Sequence, residues 1–297
     1  MDRTTEGWLY GFIGMLIFSG SLPATRAAVS GFDPIFVTVA RAAIAGLIGL
    51  GLLVAFRQKW PSRANLASLA VVAFGVVLGF PLLTALALQH VTSAHSLAFI
   101  GLLPLSTAIF GALRGGERPS PAFWLFSTIG SAVVAGYALS QGSAASPVGD
   151  GLMVAAIVVC GLGYAEGARL SRQLGGWQVI SWALVLCLPF SLVLSGATLP
   201  ATLADAGASA WAGLGYVSLF SMLIGFVFWY RGLALGGIAA VGQLQLLQPF
   251  FGLMLAATLL SEPVGWPLLG VTLLVVLSVA GAKRFAAAAP TPIRQRS

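Results

Sequence analysis

Ten apolar stretches follow one another along the chain, each long enough to cross a bilayer, with short polar breaks between them. They fall at about residues 7–28, 34–56, 66–88, 93–113, 121–140, 149–172, 177–196, 209–230, 238–260 and 265–282. A hydrocarbon layer of about 30 Å takes about 20 residues of α-helix. Backbone groups in that layer find no water, so such a run folds as a helix that bonds its own amides. Of the 297 residues only 8% are charged, against about 25% in a soluble domain, too few to coat a water-soluble surface. The pattern predicts an all-α integral membrane protein of ten transmembrane helices.

The breaks hold the Gly, Pro, Ser and Asp residues that end helices, as in Gly31 to Pro34, Arg57 to Pro61, Arg114 to Pro121 and Ser143 to Asp150. Met1 to Gly7 carries both signs of charge ahead of about 20 apolar residues, which reads as a first spanning helix and not a cleaved leader. With that end in the cytoplasm, 13 of the 15 Lys and Arg residues fall on the inner side; Arg26 is outside and Arg41 lies within the second run. The positive-inside rule selects this orientation. An even number of spans returns the C-terminus to the same side, where residues 286–297 form a cytoplasmic tail. A multi-pass protein of a bacterial inner membrane is expected.

The net charge of +7 is not gathered into a basic stripe with interleaved aromatics, so the expected partner is the lipid bilayer and not nucleic acid. Cys160 and Cys187 sit inside apolar runs without a C-x-x-C pair and read as packing residues, with no metal. No G-x-x-x-x-G-K-[ST] loop is present, and Gly161-Leu162-Gly163 is helix-packing sequence, so no nucleotide cofactor is expected. Two His and eight acidic residues scattered among ends and loops supply no convergent catalytic set, which argues against an enzyme.

The chain repeats itself. Pro104 and Glu117 are 13 apart, as are Pro249 and Glu262; Val134-Ala135-Gly136 recurs as Val279-Ala280-Gly281 at the same offset of 145. The halves are 1–142 and 143–285. Five spans per copy make the second copy enter from the opposite face, giving two inverted five-helix repeats around a central cavity. Such a pair alternates access to a midplane site by exchanging conformations, whereas a channel wants rings of carbonyls or charges. A monomer suffices for that mechanism.

Arg41-Ala42-Ala43-Ile44-Ala45-Gly46 in span two, with the Pro104, Glu117, Gly136 and Pro249, Glu262, Gly281 patterns, resembles the drug/metabolite transporter superfamily in its ten-helix branch with two EamA-type repeats. Within it, the chain is similar to the YddG-type exporters of aromatic amino acids. The resemblance implies a two-half basket of helices and export of small zwitterionic or aromatic metabolites.

Span nine carries Gln243, Gln245 and Gln248, three amides that need polar company inside a membrane. Gln245 and Gln248 share a face ahead of Pro249, which frees a carbonyl one turn back; they can bond a substrate or a neighbouring helix. Span four carries His95, Ser96 and Phe99, with Pro104 mid-helix, and by the repeat faces the cavity opposite span nine. His95 can bond a substrate carboxylate or rest neutral at the interface, and His90 is an outer-loop residue. Ser21 and Pro23 fall in a stretch of small residues that allows a bend, with Pro23 as hinge. Thr84 and Tyr164 are further cavity candidates. Trp229 and Tyr230, beside Arg231, read as interfacial anchors. Arg41 is a structural or gating residue. Glu166 forms a solvated pair with Arg169 one turn on, and Glu117 and Glu262 hold loops or cap neighbouring helices. Without a membrane carboxylate pair, facilitated flux of neutral or zwitterionic substrates is expected. The alternative is a broad drug/metabolite proton antiporter using Glu166 and His95.

Overall fold

The computed structural model describes residues 2–87, 89–91, 99–140, 146–200, 206–260 and 266–286, and all regular structure among them is helical. Six helices there are long and apolar enough to cross a membrane: Arg3–Val29, Pro34–Ala55, Arg63–Ala87, Pro147–Leu174, Gly176–Ala197 and Ala208–Gly236. The shorter Pro121–Tyr137 is also apolar. Ile44, Leu47, Leu125, Val193 and Leu273 lie exposed on their outer faces, as a lipid-facing surface requires. The chain is a multi-pass helical membrane protein.

Helix α1 (Arg3–Ser19) starts on Asp2, which accepts from the Thr5 N–H at 2.6 Å. It breaks at Gly20 and continues as α2 (Ser21–Val29). The break exposes the Ile17 carbonyl, and the Tyr216 hydroxyl donates to it at 2.9 Å. A Cβ on Gly20 would overlap that hydroxyl. Helix α3 (Pro34–Ala55) is capped by Asp33, with Pro34 in the first turn, where a missing N–H costs nothing.

Helices α4 (Arg63–Val72) and α5 (Phe80–Ala87) are joined by a π-helical turn at Ala73–Gly79. Phe80 donates its N–H five residues back to the Gly75 carbonyl, the bond that defines the π turn, and Pro81 follows with no N–H of its own. Helices α6 (Leu103–Gly115), α7 (Pro121–Ser140), α8 (Pro147–Leu174) and α9 (Gly176–Ala197) follow. Helices α10 (Ala208–Tyr216) and α11 (Gly225–Gly236) flank a second π turn, Val217–Ile224. Then come α12 (Ile238–Gly242), a 3₁₀ turn at Gln243–Leu247, α13 (Gln248–Leu260) and α14 (Trp266–Phe285).

The starts of α6 and α13, Leu103 and Gln248, are 145 residues apart, the offset seen in the sequence. The two π turns lie at nearly the same offset, and a glycine ends the first and directly follows the second, leaving room for a bent carbonyl: a Cβ on Gly79 would sit 2.5 Å from the Phe74 oxygen, and one on Gly225 2.9 Å from the Phe220 oxygen.

The main packing pairs are α1 with α11, α3 with α9, α6 with α8, α7 with α14, and α8 with the α4–α5 rod. Helices α1 and α11 touch backbone to backbone: Gly7 faces Gly236 and Gly232 faces Gly11, with no room for a Cβ at either contact. Small residues permit this approach, which suits a membrane where packing, not the hydrophobic effect, holds helices together.

Candidate functional site

At the meeting of α1, α8, α11 and the 3₁₀ turn, five rings form one buried cluster. Phe18 lies 5.0 Å from Phe226 and 6.1 Å from Trp229; Tyr164 lies 5.7 Å from Trp229; Phe226 lies 5.4 Å from Tyr230. Tyr164 is ten residues from the end of α8, about 15 Å at 1.5 Å per residue. Its hydroxyl also interacts with the Cys160 and Gln245 side chains. Two polar atoms here are buried and lack a partner among the described residues, the Trp229 Nε1 donor and the Gln245 Oε1 acceptor. The five rings are packed into the main hydrophobic core, with this donor and acceptor beside them.

Pro249 shapes the glutamine segment. It has no N–H to bond the Gln245 carbonyl, so the Gln248 N–H takes that oxygen three residues back and the backbone tightens to 3₁₀. At three residues per turn Gln245 and Gln248 stand in line, the first buried and the second half-buried. Gln243 turns away to α6, donating to the Pro104 and Ala239 carbonyls at 3.4 Å each, and its Oε1 has no partner. It joins helices, while Gln245 faces the rings.

Several expectations change. Trp229 and Tyr230 are not interfacial anchors: both are 0% exposed in the core. Helix α11 runs to Gly236, past the apolar run, which sets Trp229 about 10 Å inside. Arg231 alone reaches out, to Glu6 at 2.8 Å and over the Tyr10 ring at 4.3 Å. Pro104 is not mid-helix but in the first turn of α6, where proline is tolerated. The bend near Pro23 falls at Gly20, and Ser21 donates to Ser221 Oγ at 2.8 Å instead of facing the rings.

Thr84, half-buried in α5, has an unpartnered hydroxyl and corresponds by the 145 offset to Trp229. Phe99 packs half-buried against the main core. Arg41 has a buried Nε with no hydrogen-bond partner among the described residues. His90 is exposed. His95, Ser96 and Glu262 lie outside the described residues. Sequence reasoning missed Phe18 and Phe226; the run Phe226 to Tyr230, dense in rings, was the available signal for the second.

Glu166 is not a solvated partner of Arg169. Its side chain is 0% exposed and accepts from Arg114 Nε at 2.5 Å and from Arg169 Nε and Nη2 at 3.1 and 2.8 Å. Arg169 Nη2 also donates to Ser68 Oγ at 2.7 Å, so α4, α6 and α8 are tied together at the basic end. Nearby, Glu117 caps α12, accepting from the Ile238 and Ala239 N–H groups at 2.6 and 2.8 Å, with Arg172 at 3.4 Å. Burial pushes its carboxyl above the usual range, outweighing the pull of those donors and of Arg172. Lys283 over Trp8, at 4.6 Å, completes the seam.

The EamA-like transporter family matches the chain twice, at residues 5–139 and 147–283. The uncharacterized transporter YdeK of Bacillus subtilis (strain 168) is 68% identical over 286 residues, covering 96% of this chain and all of that protein. A solved crystal structure, 20% identical, superposes with a TM-score of 0.79 over 95% of this chain and 99% of its own, a likeness of fold. With both halves of its sequence matched, the chain belongs to the EamA-like transporter family.

Proposed function

We propose that this transporter exports aromatic amino acids and related zwitterionic metabolites through a bacterial inner membrane, by alternating access between two inverted five-helix repeats, 1–142 and 143–285, with both termini cytoplasmic. The observation that carries the substrate reading is the ring cluster with an unspent donor and acceptor, Trp229 Nε1 and Gln245 Oε1, on either side of Tyr164. An aromatic side chain stacks among the rings while its ammonium or carboxylate takes the free polar atoms. Gln248, Phe99 and Thr84 are further candidates for the approach.

Ten spans in two copies are supported by the double family match and by the starts of α6 and α13, 145 residues apart. The paired π turns and the breaks at Gly20 and Pro249 are weak points where helices bend as one side opens. The Glu166 and Glu117 networks are the closed inner gate. Glu166 is fully engaged by two arginines, which disfavours it as a proton carrier and so favours facilitated flux over antiport.

The test is uptake by proteoliposomes of labelled phenylalanine, tryptophan, alanine and a cationic dye, with and without a pH gradient. Saturable aromatic flux without the gradient is expected. Flux of the dye alone, or none until a gradient is imposed, overturns the proposal in favour of a drug antiporter.

A further inference from the structure

A cavity of about 450 Å³ opens at the basic end, between the α3–α4 connection and the α8–α9 turn, and shares no lining residue with the ring cluster. Arg57, Lys59, Trp60 and Asn65 come from one side, Gln178 and Trp182 from the other, and no acid is among its lining residues. Among the described residues no carboxylate pairs with Arg57 or Lys59. Gln178 Oε1 is buried without a partner among the described residues, and turning the amide would offer a donor there instead.

Arg57 occupies a position that suits glycine. It ends α3 at φ 51°, with its own N–H on Val54 and the Gln58 N–H reaching back to Leu53 at 2.8 Å, the turn that glycine usually completes. An arginine held in a left-handed backbone points to a use for its side chain. Trp60 and Trp182 stack edge to face at 4.8 Å beside it. The cavity terminates the α3–α9 pair, whose outer face exposes Ile44, Leu47, Phe190 and Val193, and tryptophans at the end of a lipid-facing surface mark headgroup depth.

We infer that this cavity binds a phosphate group of net negative charge, supplied by an anionic membrane lipid headgroup or a soluble phosphate, with Arg57 and Lys59 on the phosphate and the Asn65 and Gln178 amides beside it. The exposed apolar wall makes the lipid the expected source. The inference stands apart from the transport reading, since neither the site nor its test involves flux.

Full-length protein in uncharged detergent is titrated with phosphatidylglycerol, phosphatidylcholine or inorganic phosphate, following thermal midpoint and adducts by native mass spectrometry. Phosphatidylglycerol is expected to bind and raise the midpoint, and neutral phosphatidylcholine to bind more weakly. A basic residue near a headgroup contributes about 1 kcal/mol, so Lys59→Gln is expected to weaken binding roughly fivefold. Arg57→Gly gives the same loss while keeping or raising the lipid-free midpoint, because the backbone relaxes; that opposite sign separates a binding defect from misfolding. Arg63→Gln, outside the cavity, binds as the unaltered protein does. Inorganic phosphate matching the lipid supports the site and identifies a soluble source. Equal binding of both lipids, or undiminished phosphatidylglycerol binding by Arg57→Gly and Lys59→Gln, overturns the inference.

Discussion

Taking both arginines from Glu166 is predicted to cost more than taking Glu166 itself. The carboxylate is 0% exposed, whereas Arg114 and Arg169 are 53% and 39% exposed. In the double variant Arg114→Gln/Arg169→Gln, a buried carboxylate remains without a cation, a loss of about 3–5 kcal/mol. In Glu166→Gln the guanidiniums turn to water; bonds to a charged group worth about 1.5–3 kcal/mol are lost, and solvent exposure trims that to about 1–2 kcal/mol. The triple variant, with no stranded charge, recovers more than half of the double variant's loss. Unfolding in mixed micelles of rising SDS fraction, followed by tryptophan fluorescence, gives the order. A double variant no less stable than Glu166→Gln would show that the carboxylate is not desolvated as described.

Four further outcomes follow from named contacts. Glu117→Ala strands the Ile238 and Ala239 N–H groups and is expected to cost about 2 kcal/mol by the same unfolding assay. Because the Glu117 carboxyl is raised above 4.5, the folded protein holds that proton more tightly than the unfolded chain. The advantage over Glu117→Gln is therefore greatest at low pH and shrinks as pH climbs from 4.5 through the raised value, readable in paired thermal midpoints. Gly232→Val drives a side chain into the α1 backbone at Gly11 and is expected to abolish monodisperse expression, while Gly136→Ala, with open space around it, leaves the midpoint unchanged or raises stability by up to about 1 kcal/mol. Tyr216→Phe removes the bond to Ile17 at the Gly20 break and is expected to cost about 1 kcal/mol in the unfolding assay.

Helix placement was legible because hydrocarbon leaves few alternatives: the run at 34–56 is realised as Pro34–Ala55 and that at 238–260 starts at Ile238. The Pro104, Glu117 and Pro249, Glu262 spacing was the sequence signal for two copies, and the family match falls twice along the chain. The rest depended on neighbours that a linear reading does not place. Glu166 looked solvated because Arg169 is one turn away, whereas its closest cation, Arg114, is 52 residues earlier. Trp229 looked interfacial because Arg231 seemed to end the span; that arginine instead reaches out along its stem while the helix continues. Pro249 gave the one local hint of the 3₁₀ turn, and the second π turn had none beyond its closing glycine.

The central claim is that Gln245 keeps its amide oxygen for a substrate and not for the fold. Equilibrium binding of labelled phenylalanine to purified protein, beside the thermal midpoint of each sample, tests it with Gln245→Leu. Oε1 has no partner to lose among the described residues, but the contact with the Tyr164 hydroxyl goes too, so a stability loss of at most about 1 kcal/mol is expected while affinity falls at least about tenfold, a loss of about 1.4 kcal/mol. A lowered midpoint with unchanged affinity would contradict the claim and make Gln245 a structural residue.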